Sequence, residues 1–200
     1  MEDKNNNEIK VSINGVIHSI DDMDTIVQMK DILKMPLTKE EEEHIESRRI
    51  ESTKAVQDIL SQDGDSIREL PDCSDELWKI IERSKLLTNF DSEKQYNNLY
   101  DIIQSYSDKD RESIGYDWRS ICAAITSHPS FGLLHYINGG IVNEGDDGFF
   151  MDFGNWVVAQ GKELCSEFMK NGSDVIIKYI KDNKISEQDY TYECFAYVFN

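Results

Sequence analysis

The feature that most constrains the fold of this chain is a series of amphipathic segments that begins at Ser74. Within each segment, apolar residues recur three or four positions apart, which is the spacing of one face of an α-helix. Capping residues such as Ser107 open the segments, and breaks such as His128-Pro129 and Asn171-Gly172 close them. Helices are therefore predicted over residues 75–87, 91–106, 107–127, 131–137, 149–170, 174–182 and 186–199.

The N-terminal region adds a hairpin signal. Apolar residues alternate from Ile9 to Ile20 around Asn14-Gly15, a dipeptide typical of the turn between two antiparallel strands. A lone hairpin is marginally stable, so we expect this one to pack on the helices or to pair with another chain. Residues 21–34 then return to helical spacing. The predicted fold class is mainly α, a compact multi-helix domain with a short N-terminal β-hairpin.

The next helical segment is unusually polar. Thr38 followed by Glu41 forms a capping box, which opens a helix that runs to Leu60. Only two residues between positions 39 and 52 are apolar, so this helix is either solvated or covered by a polar partner. Its acidic block is the predicted partner surface, made of Glu40, Glu41, Glu42 and Glu43.

A boundary is predicted near residue 70. Residues 62–66 have the composition of a linker, and Pro71 follows them. The chain is therefore divided into residues 1–70, the N-terminal hairpin and polar helical extension, and residues 71–200, a helical core domain.

The charge of the chain limits its partners. The 39 Asp and Glu residues outweigh 21 Lys and Arg residues, for a net charge of −18. Direct nucleic-acid binding is not expected, because each phosphate contact needs a lysine or arginine. Membrane insertion is not expected either, because no apolar run approaches the roughly 18–20 residues that span a bilayer. The acidity either keeps the protein soluble or forms a surface for a basic protein.

The cysteines and the N-terminus favour the cytoplasm. The four cysteines (Cys73, Cys122, Cys165 and Cys194) are widely spaced and form no Cys-x-x-Cys pair, so reduced thiols are predicted. The first ten residues are polar and acidic, unlike a signal peptide.

Residues 136–164 hold the densest group of uncommon residues. One helical stripe runs from Phe149 to Leu164 and contains Gln160, whose buried amide must find partners. We predict that Gln160 bonds into residues 136–148. The candidate binding residues of this region are Asn138, Asp146, Asp147, Asp152, Trp156 and Gln160. Structural roles for residues of this region stay open: Asp147 as a helix cap, Gly139 and Gly140 as a turn, and Trp156 as core.

These motifs carry a resemblance. The run Asn-Gly-Gly, Asp-Gly-Phe, Asp-Phe, Trp and Gln-Gly-Lys-Glu-Leu resembles the bacterial family catalogued as domain of unknown function 4240, over about residues 74–200. The chain departs from the family pattern at residues 141–145, which lengthen the loop, and at Gly154-Asn155, where an arginine is common. The resemblance implies a helical module and assigns no activity to it.

Two hypotheses for the function follow. The first is a non-catalytic cytoplasmic module that binds a basic protein partner through its acidic surface, as an immunity or antitoxin-like inhibitor would. The alternative is an enzyme or a small-ligand or nucleotide-binding domain that uses the Asn138–Gln160 loop and helix. No catalytic residue, metal site or cofactor is predicted, since phosphate-loop, dinucleotide, nucleophile-elbow and metal-ligand spacings are absent. The sequence is also compatible with a homodimer.

Overall fold

The computed structural model describes residues 9–13, 16–20, 22–62, 69–143 and 148–199. The α-helices are α1 (Met23–Ile32), α2 (Lys39–Gln62), α3 (Asp75–Ser84), α4 (Ser92–Gln104), α5 (Asp108–Thr126), α6 (Gly154–Ala159), α7 (Lys162–Asn171), α8 (Ser173–Asn183) and α9 (Glu187–Tyr190). Three 3₁₀ segments cover Phe131–Leu134, Tyr136–Asn138 and Glu193–Tyr197, and a π-helical segment covers Gly148–Phe153. Strands β1 (Ile9–Ile13) and β2 (Val16–Ile20) pair antiparallel, with Ile9 opposite Ile20.

The predicted fold class needs a correction, because the compact domain is helical and contains no hairpin. Residues 22–62, 69–143 and 148–199 contain no β-strand, and β1 pairs with β2 alone. Turn chemistry can specify a local strand pair, whereas the fold class is set by what builds the core, and here helices and turns build it. The turn at Asn14-Gly15 and the side chains through which the strands would dock lie outside the described residues.

The core of the helical body is aromatic. Its largest fully buried side chains come from α5, α6, α7 and the 3₁₀ and π segments: Trp118, Trp156, Phe131, Phe153, Phe168 and Phe195. Phe153 and Trp156 stack with ring centroids 5.6 Å apart and planes 12° apart. The predicted stripe from Phe149 to Leu164 is confirmed as buried. Burying such side chains supplies most of the favourable free energy of folding.

The predicted single helix over residues 149–170 is wrong. A π segment and α6 end at Ala159, and α7 starts at Lys162. Gly161 separates the two helices with φ +106°, a conformation that a residue with a side chain rarely adopts. The predicted helix over residues 186–199 is likewise split, into α9 and the segment Glu193–Tyr197.

The capping box at the start of α2 is confirmed. The Thr38 backbone N–H donates to Glu41 Oε2 at 2.6 Å, and the Glu41 N–H donates to Thr38 Oγ1 at 3.3 Å. Farther along, α2 lies against the helical body, where Ser52 Oγ donates to Asn138 Oδ1 at 2.9 Å. The division of the chain at residues 70 and 71 stays a prediction.

Two further observations concern the environment of the chain. All four cysteines are free thiols. In the part of the chain that the structure describes, every helix is too short or too polar to cross a bilayer.

Candidate functional site

A cleft of about 660 Å³ opens between the end of α3, the start of α7 and the length of α8. We call it the acidic cleft. Four carboxylates and two lysines line it: Glu82, Glu163, Glu167, Asp182, Lys85 and Lys178. Gln160, Tyr179 and Asn183 complete its polar lining.

Helical spacing places these side chains on one surface. Glu82 and Lys85 lie three residues apart at the end of α3, and their side chains approach to 3.3 Å. Glu163 and Glu167 lie four residues apart on α7, and so share a face of that helix. On α8, Lys178 forms an ion pair with Asp182.

Gly161 allows α3 to come close to the break between α6 and α7. A Cβ atom at this position would lie 2.3 Å from Glu82 Oε1. The positive φ of Gly161 ends α6, and its missing side chain leaves room for the Glu82 carboxylate at the wall of the cleft.

Hydrogen bonds satisfy the carbonyl groups at the end of α6. Lys85 Nζ donates to the Gln160 carbonyl at 2.7 Å, and Gln95 Nε2 donates to the Ala159 carbonyl at 2.6 Å. Gln160 Nε2 donates to the Trp156 carbonyl at 3.1 Å. The last carbonyls of a helix lack intrahelical partners, so these bonds hold the floor of the cleft in place.

The cleft favours positive charge. Burial, together with the nearby carboxylates of Glu82 and Glu163, raises the pKa of Tyr179 to about 12. Tyr179 is therefore a neutral hydroxyl at physiological pH, and it donates to Gln160 Oε1 at 3.4 Å. Among the described residues Glu163 has no hydrogen-bond or ion-pair partner. Carboxylates, amides and a phenol in this arrangement can bind an ammonium or guanidinium group.

Of the four predicted binding residues that the structure describes, two lie together. Gln160 is 5% exposed in the floor of the cleft, and Trp156 is fully buried one turn before it. Asn138 lies elsewhere, where its amide donates to the Gly132 carbonyl at 2.7 Å and accepts from Ser52. Asp152 is half-buried in the π segment. Asp146 and Asp147 lie outside the described residues.

The predicted bond from Gln160 to residues 136–148 is wrong for the described part of that range. Gln160 bonds instead to the Trp156 carbonyl and to Tyr179. The end of α6 leaves a carbonyl that needs a donor four residues on, and Gln160 occupies that position.

The acidic block of α2 is not one uniform surface. Glu41 is 1% exposed and pairs with Lys30 at 2.6 Å, so it connects α2 to α1. Glu40, Glu42 and Glu43 are exposed, and Glu43 lies 3.1 Å from Lys39. Three of the four predicted partner-surface carboxylates therefore face solvent.

Sequence reasoning missed Glu82, Lys85, Glu163 and Tyr179. One signal was available, because Gln160-Gly161 interrupts an otherwise apolar stripe at a position suited to ending a helix. The approach of α3 to this break joins residues 75 positions apart in the chain, and no local pattern predicts it.

Comparisons with curated proteins and with solved structures gave no match. A family model described as "Protein of unknown function (DUF4240)" matches residues 73–200. The matched range contains the acidic cleft and the whole segment from Asn138 to Gln160, and it confirms the resemblance carried by the Asn-Gly-Gly and Gln-Gly-Lys-Glu-Leu motifs. The chain therefore belongs to the DUF4240 family of proteins of unknown function.

Proposed function

We propose that this protein is a non-catalytic cytoplasmic module that binds a basic protein through its acidic surface. The observation that carries the proposal is the acidic cleft, where carboxylates outnumber lysines and Glu163 has no hydrogen-bond or ion-pair partner among the described residues. An immunity or antitoxin-like inhibitor of a basic bacterial protein is the form of this function that the charge favours.

Both short-range and long-range electrostatics support a cationic partner. A lysine or arginine side chain in the cleft would donate charge-assisted hydrogen bonds to Glu163 and to the amide and hydroxyl oxygens around it. The net charge of −18 would also attract a basic protein from a distance and raise the association rate at low ionic strength.

One observation favours the second hypothesis, a small-ligand or nucleotide-binding domain at the Asn138–Gln160 region. In the described part of the chain, the buried indole Nε1 of Trp156 has no hydrogen-bond partner. An unpaired buried donor costs about 1–3 kcal/mol, and an acceptor group of a bound ligand would remove that cost. Tryptophan fluorescence titrated with nucleoside triphosphates tests this hypothesis, since a ligand at Trp156 would shift the emission.

The test of the main proposal compares two charge-matched variants in titrations with a tetra-arginine peptide. Glu163→Gln with Glu167→Gln removes two carboxylates from the cleft, whereas Glu51→Gln with Asp101→Asn removes two exposed ones from α2 and α4. We expect the cleft variant to weaken peptide binding about tenfold and the control to weaken it less than about twofold. Equal weakening by both variants would show that only net charge matters and would refute the assignment of the cleft.

A further inference from the structure

The loop between α3 and α4, residues 85–91, presents two leucines to solvent. Leu86 is 66% exposed and Leu87 is 96% exposed. Among the described residues no large hydrophobic side chain is more exposed than Leu87. Two adjacent exposed leucines form an apolar projection, which we call the leucine tip.

Hydrogen bonds hold the chain on both sides of the leucine tip. Thr88 Oγ1 donates to the Lys85 carbonyl at 2.9 Å, and the Asp91 N–H donates to the Thr88 carbonyl at 3.1 Å. Asn98 Nδ2 donates to the Ser84 carbonyl at 3.0 Å. Because these bonds already order the loop, a partner would lose little conformational entropy by binding there.

The tip and the acidic cleft form one continuous surface. Lys85 and Gln160 line the cleft and also a hollow of about 190 Å³ that Leu87 helps to line. Phe90 packs edge-on against Tyr179, with ring centroids 6.1 Å apart. An apolar contact and a cation site therefore lie side by side.

We propose that the leucine tip and the acidic cleft together dock a basic protein segment that carries an apolar side chain next to a lysine or arginine. The proposal rests on the proposed function and specifies the chemistry of the partner. Electrostatics favours one class of partner, because the carboxylates of the cleft attract a cationic segment and repel an anionic lipid surface. An apolar anchor beside a charged contact is the usual composition of an energetically dominant interface region.

The test uses two synthetic peptides of equal charge, one built from lysine and leucine and one from lysine and serine. Each is titrated calorimetrically against the wild type, against Leu86→Ser with Leu87→Ser, and against Glu163→Gln with Glu167→Gln. The leucines are exposed, so their replacement leaves the core unchanged. We expect the wild type to bind the lysine–leucine peptide about tenfold more tightly than the lysine–serine peptide.

The variants separate this inference from the function on which it rests. The leucine variant should lose the preference and bind both peptides as the wild type binds the lysine–serine peptide, whereas the carboxylate variant should bind both more weakly. A leucine variant that keeps the preference for the lysine–leucine peptide would refute the docking role of the leucine tip. It would not affect the assignment of cation binding to the acidic cleft. A carboxylate variant that binds both peptides as the wild type does refutes the proposed function. Sedimentation of a wild-type dimer that the leucine variant converts to monomers would instead assign the tip to a second copy of this chain.

Discussion

Lys85 Nζ donates to the carbonyl oxygen of Gln160 at 2.7 Å and so connects the end of α3 to the break between α6 and α7. The Lys85 side chain is 26% exposed and lies 3.3 Å from Glu82. One ammonium group thereby satisfies a helix-end carbonyl and neutralises one carboxylate of the acidic cleft.

Replacing Lys85 with methionine should lower the free energy of unfolding by about 1–2 kcal/mol, because the Gln160 carbonyl loses its donor. Chemical denaturation measures the change. Lys79→Met is the matched control, since Lys79 lies on the same helix with a side chain 69% exposed and 3.7 Å from Glu76. The control should change stability by less than about 0.5 kcal/mol. Equal effects would mean that the Lys85 bond adds nothing to stability.

Glu41→Gln should destabilise the protein by about 2 kcal/mol, because it removes a charged acceptor for Lys30 and Thr38. The adjacent exposed Glu42→Gln is the control and should be nearly neutral. Thermal denaturation of both variants measures the difference. If both variants lower the melting temperature by the same amount, the ion pair between Glu41 and Lys30 does not contribute to stability.

The pKa of Glu41 predicts that the stability of the protein depends on pH. Burial alone would raise the pKa of Glu41, but hydrogen bonds from Lys30 and Thr38 outweigh it and leave the pKa below its ordinary value. A carboxyl whose pKa is lowered by folding stabilises the protein above its unfolded pKa, and this stabilisation is lost as the pH falls through the folded value. The acid-side loss of stability should therefore be smaller in Glu41→Gln than in the wild type.

The free energy of unfolding should be about 1 kcal/mol higher for Leu87→Gly than for Leu86→Gly. Leu87 has φ +61°, a left-handed conformation that is costly for leucine and free for glycine. Leu86 is also exposed but is not left-handed, so glycine there only adds entropy to the unfolded chain. Denaturation midpoints of the two variants provide the measurement. Equal stabilities would show that the backbone at Leu87 is not strained.

Tyr179 should ionise late in an alkaline titration followed by tyrosinate absorbance. Its pKa is raised to about 12 by burial and by Glu82 and Glu163. Because folding raises this pKa, the neutral phenol favours the folded state below pH 10, and that contribution is lost between about pH 10 and about pH 12. Tyr179→Phe should remove one late-titrating group. An unchanged titration of that variant would contradict the assignment.

Gly161→Ala should destabilise the protein by at least about 1 kcal/mol, since φ +106° is strained for alanine and the new Cβ would displace the Glu82 carboxylate. Gly132→Ala is the control, because a Cβ there meets no atom of the described residues within 4 Å. Calorimetric melting of both variants checks the difference. A stable Gly161→Ala protein would mean that the break between α6 and α7 can relax.

Much of the fold was predictable because its determinants are local. The Thr38–Glu41 capping box, the boundaries of α4 and α5 and the burial of the stripe from Phe149 to Leu164 depend on residues a few positions apart. The hairpin signal at Asn14-Gly15 is local too, but it says nothing about the core, so it misled the choice of fold class.

The candidate site depended on contacts that no local pattern encodes. The stripe indicated Trp156 and Gln160 as candidate binding residues, but it did not predict which groups they contact. The sequence by itself determined where helices form, which faces are apolar and how acidic the surface is, because each depends on residue type and short-range spacing. Only the tertiary structure decided that α3, α7 and α8 meet around the acidic cleft, because a 2.7 Å bond between residues 75 positions apart requires the whole helical body to be packed first.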